Sequence, residues 1–120
     1  MHILVVDDNR DILDLVQRVL LAEGHDVITA RDGLEALQRE KDFRPDIIVL
    51  DINLPYINGW EVCRQIKQER EVPVMLLSVR AEAVDIEYSR SVGADDHVFK
   101  PFEIADLLKR IDRLTRKVKG

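Results

Sequence analysis

Short apolar stretches alternate five times with segments of helical periodicity, and that alternation leaves few folds open. His2–Val6 is apolar and β-branched. After it Ile12, Leu13, Leu15, Val16, Val19 and Leu20 recur at the spacing of one helix face. Asn9 or Asp8 is placed to cap that helix and Gly24 to end it. Asp26–Ala30 reads as a second strand, and Asp32 with Gly33 opens a second helix through Leu34, Ala36 and Leu37. Pro45 leads into residues 47–50, an unbroken apolar run of the kind buried on both faces. Residues 53–58, with Pro55, read as a loop. Gly59–Glu69 reads as a third helix on Trp60, Val62, Cys63 and Ile66, with Trp60 expected to stay partly exposed. Pro73 precedes the fourth strand, residues 74–77. Residues 81–92 form the fourth helix, which Gly93 ends. Residues 97–99 make a short fifth strand that Pro101 stops. Residues 103–119 make the last helix, on Ile104, Leu107, Leu108, Ile111 and Leu114.

Such alternation predicts an α/β, doubly wound parallel sheet of five strands with helices on both faces. Each crossover is right-handed and must cover the sheet. The runs themselves leave the strand order open. A chain of 120 residues suits a single domain, 1–120, with room for a core. No apolar run reaches bilayer length, and Met1-His2-Ile3 leads straight into a strand, so neither a membrane span nor a signal peptide is expected. The single Cys63 excludes an internal disulfide and a cysteine-based metal site, and fits a reducing cytoplasm. A net charge of −5 argues against this domain gripping nucleic acid by itself.

The polar residues that follow the runs point to chemistry. Asp7 and Asp8 follow the first run, Asp51 the third, Ser78 the fourth, and Lys100-Pro101 the fifth. Parallel sheets bind ligands at the carboxyl ends of their strands. Three carboxylates, a hydroxyl and an ammonium are therefore expected at one edge. Carboxylates that close repel one another unless a cation joins them. Oxygen ligands select a hard ion, Mg²⁺, with Mn²⁺ able to substitute. Metal, Lys100 and Ser78 together would neutralise the oxygens of a transferring phosphoryl group. Asp51, with loop on its far side, could serve as nucleophile and form an acyl phosphate. Taken singly, Asp7-Asp8 could cap a helix, Asp51 could be a turn residue, Ser78 could cap the fourth helix, and Lys-Pro says little. Their common position at the carboxyl ends of the strands is what singles them out together.

These same stretches resemble the receiver domain of two-component response regulators. The matching residues are Ile3-Leu4-Val5-Val6-Asp7-Asp8, Asp51-Ile52-Asn53-Leu54-Pro55 with Asn58-Gly59, Leu76-Leu77-Ser78, and Gly93-Ala94-Asp95-Asp96 running to Lys100-Pro101-Phe102. The resemblance implies a flavodoxin-like fold with strand order 2-1-3-4-5. It implies that Asp51 is the phospho-acceptor. Asp8 and Asp51 would bind Mg²⁺ directly, Asp7 mostly through water and Asn53 through its backbone carbonyl. Ser78 would bond the phosphoryl group and move toward it on activation, Lys100 would pair with it, and Pro101 would follow in the cis form. The donor would be a histidine kinase or phosphotransfer protein. The domain would assist its own phosphorylation and dephosphorylation without being an enzyme.

Three departures stand out. The position three before Lys100 usually carries Tyr or Phe, whose ring swings inward as Ser or Thr moves. Here it is His97, which reads either as a solvent-facing strand residue or as a smaller, titratable switch with weaker or pH-dependent action. Val79 stands where Ala or Gly is usual and is expected to slow transfer. Tyr56 and Ile57 enlarge the loop after Asp51 and read as neutral variation.

The end of the chain, from Phe102 to Ile111, resembles receivers of winged-helix transcription factors, with residues 113–120 as the possible start of a linker to an output domain. Those receivers pair as homodimers through the fourth helix, fifth strand and last helix. Asp96 with Arg110, and Asp95 with Lys117, keep two of the expected inter-subunit charge pairs. Against that pairing, Glu87 and Arg90 fall at usually apolar positions and Ile86 at a basic one. Three other readings are open. A Mg²⁺-dependent phosphatase would need a second acid where Asn53 stands. A carrier of flavin mononucleotide would need a phosphate loop where Asp7-Asp8 would repel phosphate. A pseudo-receiver would dock without being phosphorylated.

Overall fold

The computed structural model describes residues 1–79 and 85–119. Its strands are β1 (His2–Val6), β2 (Asp26–Ala30), β3 (Ile47–Asp51), β4 (Val74–Val79) and β5 (Asp96–Lys100). Between and after them lie α1 (Arg10–Ala22), α2 (Gly33–Phe43), α3 (Gly59–Glu69), α4 (Asp85–Ser91) and α5 (Ile104–Lys119). All strand pairs are parallel and the order is β2-β1-β3-β4-β5.

Burial follows from that order. Every residue of the central strand β3 is buried, whereas the edge strands β2 and β5 are only partly covered. Successive side chains alternate between the two faces of a strand. Ile3, Val5, Ile47, Val49, Met75 and Leu77 accordingly pack with Leu13, Val16 and Leu20 of α1 and Leu107, Ile111 and Leu114 of α5. Their neighbours Leu4, Val6, Ile48, Leu50, Val74 and Leu76 pack with Ala36 of α2 and Val62, Cys63 and Ile66 of α3. Two apolar clusters therefore clamp the sheet.

Several boundaries differ from the sequence reading. β3 includes Asp51, β4 continues through Ser78 and Val79, and β5 runs from Asp96 to Lys100. These residues belong to strands because the ladder continues through them: Asp51 pairs with Leu77, Ser78 with Phe99 and Val79 with Lys100. The last helix starts at Ile104 instead of residue 103, and α4 ends at Ser91 with Val92 already in the turn. The expected start of that fourth helix, residues 81–84, lies outside the described residues. Asn9, not Asp8, caps α1: its side chain accepts from the backbone N–H groups of Asp11 and Ile12. Asp7 and Asp8 are thereby spared for other work. Gly24 and Gly93 follow helix ends at φ +91° and +96°, in the left-handed region that glycine enters without steric cost.

Candidate functional site

Order β2-β1-β3 makes β1 and β3 neighbours while their connections leave on opposite sides, so a crevice opens at their carboxyl ends. Asp7 follows the last residue of β1 and Asp51 is the last residue of β3. Asp7 is fully buried, Asp51 is buried and Asp8 is exposed at the rim. One carboxylate oxygen from each of the three lies within 4.8 Å of the others. Lys100, at the end of β5, reaches across to both buried acids. Its Nζ lies 2.8 Å from Asp7 Oδ2 and 3.4 Å from Asp51 Oδ2. The Lys100–Pro101 peptide is cis.

Local structure holds these groups in place. Asp7 Oδ1 accepts the backbone N–H of Asn9 at 2.9 Å, which ties the acid to the start of α1. The backbone at Asn53 favours the charged form of Asp51. The loop from Ile52 to Asn58 is held at both ends. Ile52 N–H donates to Leu77 O at 3.0 Å, and Gly59 N–H donates to Ile52 O at 2.7 Å. Gly59 is required there, because a Cβ would lie 2.3 Å from Asp51 O. Gly33 backs the same loop, since its Cβ would lie 2.2 Å from Ile57 O. Tyr56 sits at the loop's tip with φ 71° and is largely exposed.

The electrostatics are those of a crowded acidic site. Burial first, and the charge of Asp7 second, push Asp51 up to about 6, with Lys100 pulling partly the other way. Burial works against the charge on Lys100, but its bonds and charge contacts with Asp7 and Asp51 hold it above its ordinary value. One ammonium among three carboxylates leaves net negative charge. Their oxygen-only donor set fits a hard divalent cation. Burial pushes the Cys63 thiol up to about 11, so no competing thiolate forms at neutral pH.

Ser78 lies one residue beyond Leu77, whose register partner is Asp51. Its side chain points to the sheet face opposite that of Leu77, where α4 packs. His97 shares that face and meets it: Nε2 lies 2.6 Å from Ser78 Oγ. The other ring nitrogen, Nδ1, lies 2.8 Å from Ser89 Oγ in α4. Ser89 Oγ also accepts the indole N–H of Trp60 in α3, at 2.9 Å. Trp60 is half-buried and stacks edge-on against Tyr88, with ring centroids 4.7 Å apart. His97 is therefore not a solvent-facing strand residue, and Ser78 is a strand residue bonded to it instead of a helix cap. Nothing in the sequence marked Ser89. A serine between Tyr88 and Arg90, in a helix that also carries Ser91, looks solvated, and it is the packing of α4 against β5 and Trp60 that buries it.

Sequence comparison places this arrangement in a known context. The pattern of the response regulator receiver domain matches residues 3–112. The chain belongs to that family. This receiver is 41% identical over 116 residues to the alkaline phosphatase synthesis transcriptional regulatory protein PhoP of Bacillus subtilis, covering 96% of the chain and 48% of that protein. It is 42% identical over 117 residues to the transcriptional regulatory protein PrrA of Mycobacterium leprae, covering 97% and 50%. The chain thus spans about half the length of these relatives. A solved receiver domain, that of the Francisella response regulator 1452, superposes with TM-score 0.91 at 30% identity, covering 98% of each chain. Among the described residues no helix is long and apolar enough to cross a membrane.

Two charge pairs expected between subunits are used differently within the receiver. Asp95 bonds Lys67 Nζ at 2.7 Å and the backbone N–H of Val74 at 2.8 Å. Asp96 bonds Arg110 at 2.8 Å and faces Arg113 at 3.6 Å, a charge contact too long for a hydrogen bond. The side chain of Lys117 lies outside the described residues.

Proposed function

We propose that Asp51 accepts a phosphoryl group with a divalent cation held beside it, and that the acyl phosphate sets the signalling state of this receiver. One observation carries the reading. Oxygens of Asp7, Asp8 and Asp51 converge within 4.8 Å, with Lys100 Nζ 2.8 Å from Asp7 and 3.4 Å from Asp51. Two buried acids sharing one ammonium are arranged for charge that arrives and leaves.

In the transfer, a carboxylate oxygen of Asp51 bonds to phosphorus while the bond from phosphorus to the donor breaks. The electron pair stays with the donor atom, and a donor ring protonated at its other nitrogen leaves neutral, with no further proton needed. The donor is a histidine kinase or phosphotransfer protein, so that atom is an imidazole nitrogen. Lys100 turns from the acids to a phosphoryl oxygen, and Ser78 donates its hydroxyl to another. Asp8 and Asp51 would hold Mg²⁺ (or Mn²⁺) directly, Asp7 mostly through water, and Asn53 through its backbone carbonyl. The cation, when bound, supplies positive charge to the phosphoryl oxygens. Val79, exposed next to Ser78 in sequence, adds methyl groups beside the site that would slow phosphoryl transfer. The receiver acts on its own phosphorylation and dephosphorylation, a switch and not an enzyme. A phosphatase lacks support, because Asn53 stands two residues after Asp51 where its second acid would be.

The setting follows from the relatives. Both are transcriptional regulators about twice as long as this chain. We place residues 1–120 as a single receiver, with residues 113–120 leading toward a winged-helix output domain that carries any DNA contact, in the cytoplasm.

The test is incubation with Mg²⁺ and acetyl phosphate, read by intact mass. One phosphoryl adduct is expected in the wild type and none in Asp51→Asn. A wild type that takes no adduct, and whose site beryllofluoride leaves unchanged, is a docking pseudo-receiver instead.

A further inference from the structure

The chain of contacts from Ser78 through His97 and Ser89 to Trp60 crosses β4, β5, α4 and α3. Its members have limited freedom. An indole N–H can only donate, a hydroxyl has one proton, and a neutral imidazole donates from one nitrogen and accepts at the other. Ser89 Oγ therefore accepts from Trp60, and a neutral His97 ring can be placed in two ways. In the first, Nδ1–H donates to Ser89, and Ser78 uses its only proton on Nε2. Ser78 then has nothing to donate elsewhere. In the second, the hydroxyl of Ser89 donates to Nδ1, and Nε2–H donates to Ser78 Oγ. The proton of Ser78 is then free.

An anion on Asp51 that accepts from Ser78 selects the second arrangement. Every bond then runs in one direction: Trp60 to Ser89, Ser89 to His97, His97 to Ser78, and Ser78 to the anion. Hydrogen bonds aligned head to tail polarise one another and strengthen the terminal donor. The two arrangements hold the same number of protons. Passing between them moves one ring proton from Nδ1 to Nε2, by exchange with water at the half-buried ring, and turns both hydroxyls.

We propose that Ser89 and Trp60 are positioning residues for the phosphoryl site, which hold His97 so that it presents an N–H to Ser78 and frees that hydroxyl for the phosphoryl group. This deepens the reading of Asp51 as phospho-acceptor and rests on it. It also replaces an inward-swinging aromatic ring with a ring that stays and reverses its hydrogen bonds. Phosphorylation is felt at the surface of α3 and α4 through Trp60 and its partner Tyr88.

The chain's only tryptophan is Trp60, so its fluorescence reports the far end of the relay directly. The protein, labelled with ¹⁵N, is loaded with Mg²⁺ and beryllofluoride, and adduct formation with acetyl phosphate is checked by intact mass on the same preparations. The loaded wild type is expected to carry its ring proton on Nε2, and to show a changed Trp60 emission and a shifted indole N–H. Ser89→Ala cuts the chain. Its Trp60 response to loading should fall at least about threefold, and its acyl phosphate should decay about threefold faster. Ser89→Thr keeps the hydroxyl and should restore both. An adduct formed with the ring proton still on Nδ1, or a Ser89→Ala response equal to that of the wild type, overturns the relay and leaves the phosphorylation reading standing. No adduct in the wild type overturns both.

Discussion

At the scale of single residues, Asp51 is held where its own charge is unwelcome. Burial and Asp7 raise it from 3.8 to about 6. Between those values the folded protein binds more protons than the unfolded chain, so this residue's contribution to stability falls as pH rises through that window. Asp51→Asn removes the conflict. Without metal, the variant should match the wild type near pH 4 and exceed it by at most about 3 kcal/mol above pH 6, as a shift of roughly two units implies. Urea unfolding in chelator across that range measures the gap; a constant gap contradicts it. Mg²⁺ should also bind more weakly below pH 6, where the proton competes for the same carboxylate. Sequence revealed these acids by their place after the strands, but not which was buried. Asp8, exposed, and Asp7, fully buried, are adjacent and chemically identical. Only the turn into α1, with Asn9 as cap, separates them.

At the scale of elements, helices legible from their apolar spacing are joined by contacts that spacing does not show. Glu40 in α2 is buried and pairs with Arg70, the residue that ends α3, at 2.7 Å. Arg70 also donates to Pro45 O at 2.9 Å, just before β3. Loss of one partner leaves the other charged and buried, which costs more than the intact pair contributes. Arg70→Ala should destabilise by about 3 kcal/mol, and an Arg70→Met, Glu40→Leu double variant should recover most of that loss. Chemical denaturation tests both; equal losses in the single and double variants contradict the account. The strands themselves were readable as apolar runs, because β1, β3 and β4 are covered on both faces. Their ends were not. Ser78, Val79, Asp96 and Lys100 continue the ladder through backbone pairing, to which hydropathy is blind. The relay through Ser89 escaped for the same reason: it depends on α4 lying over β5, a tertiary fact.

At the scale of the whole molecule, alternation of strand and helix determines the doubly wound class, and the observed order brings β1 and β3 together so that the acids meet. Pairing with a second copy is less well served. Asp95 and Asp96 are already bonded within the chain, and Glu87, Arg90 and Ile86 are exposed along α4. Burying those charges without partners is unfavourable. Sedimentation before and after loading with beryllofluoride should therefore show a monomer in both states; a dimer on loading contradicts this. The proposed phosphorylation makes one bond, between phosphorus and an oxygen of Asp51. Borohydride reduces an aspartyl phosphate to homoserine, so reduction after acetyl phosphate treatment followed by peptide mass mapping reads the site directly. Homoserine at position 51 and nowhere else is the predicted result. Homoserine at position 7 or 8, or none in a protein that carries the phosphoryl adduct, would contradict it.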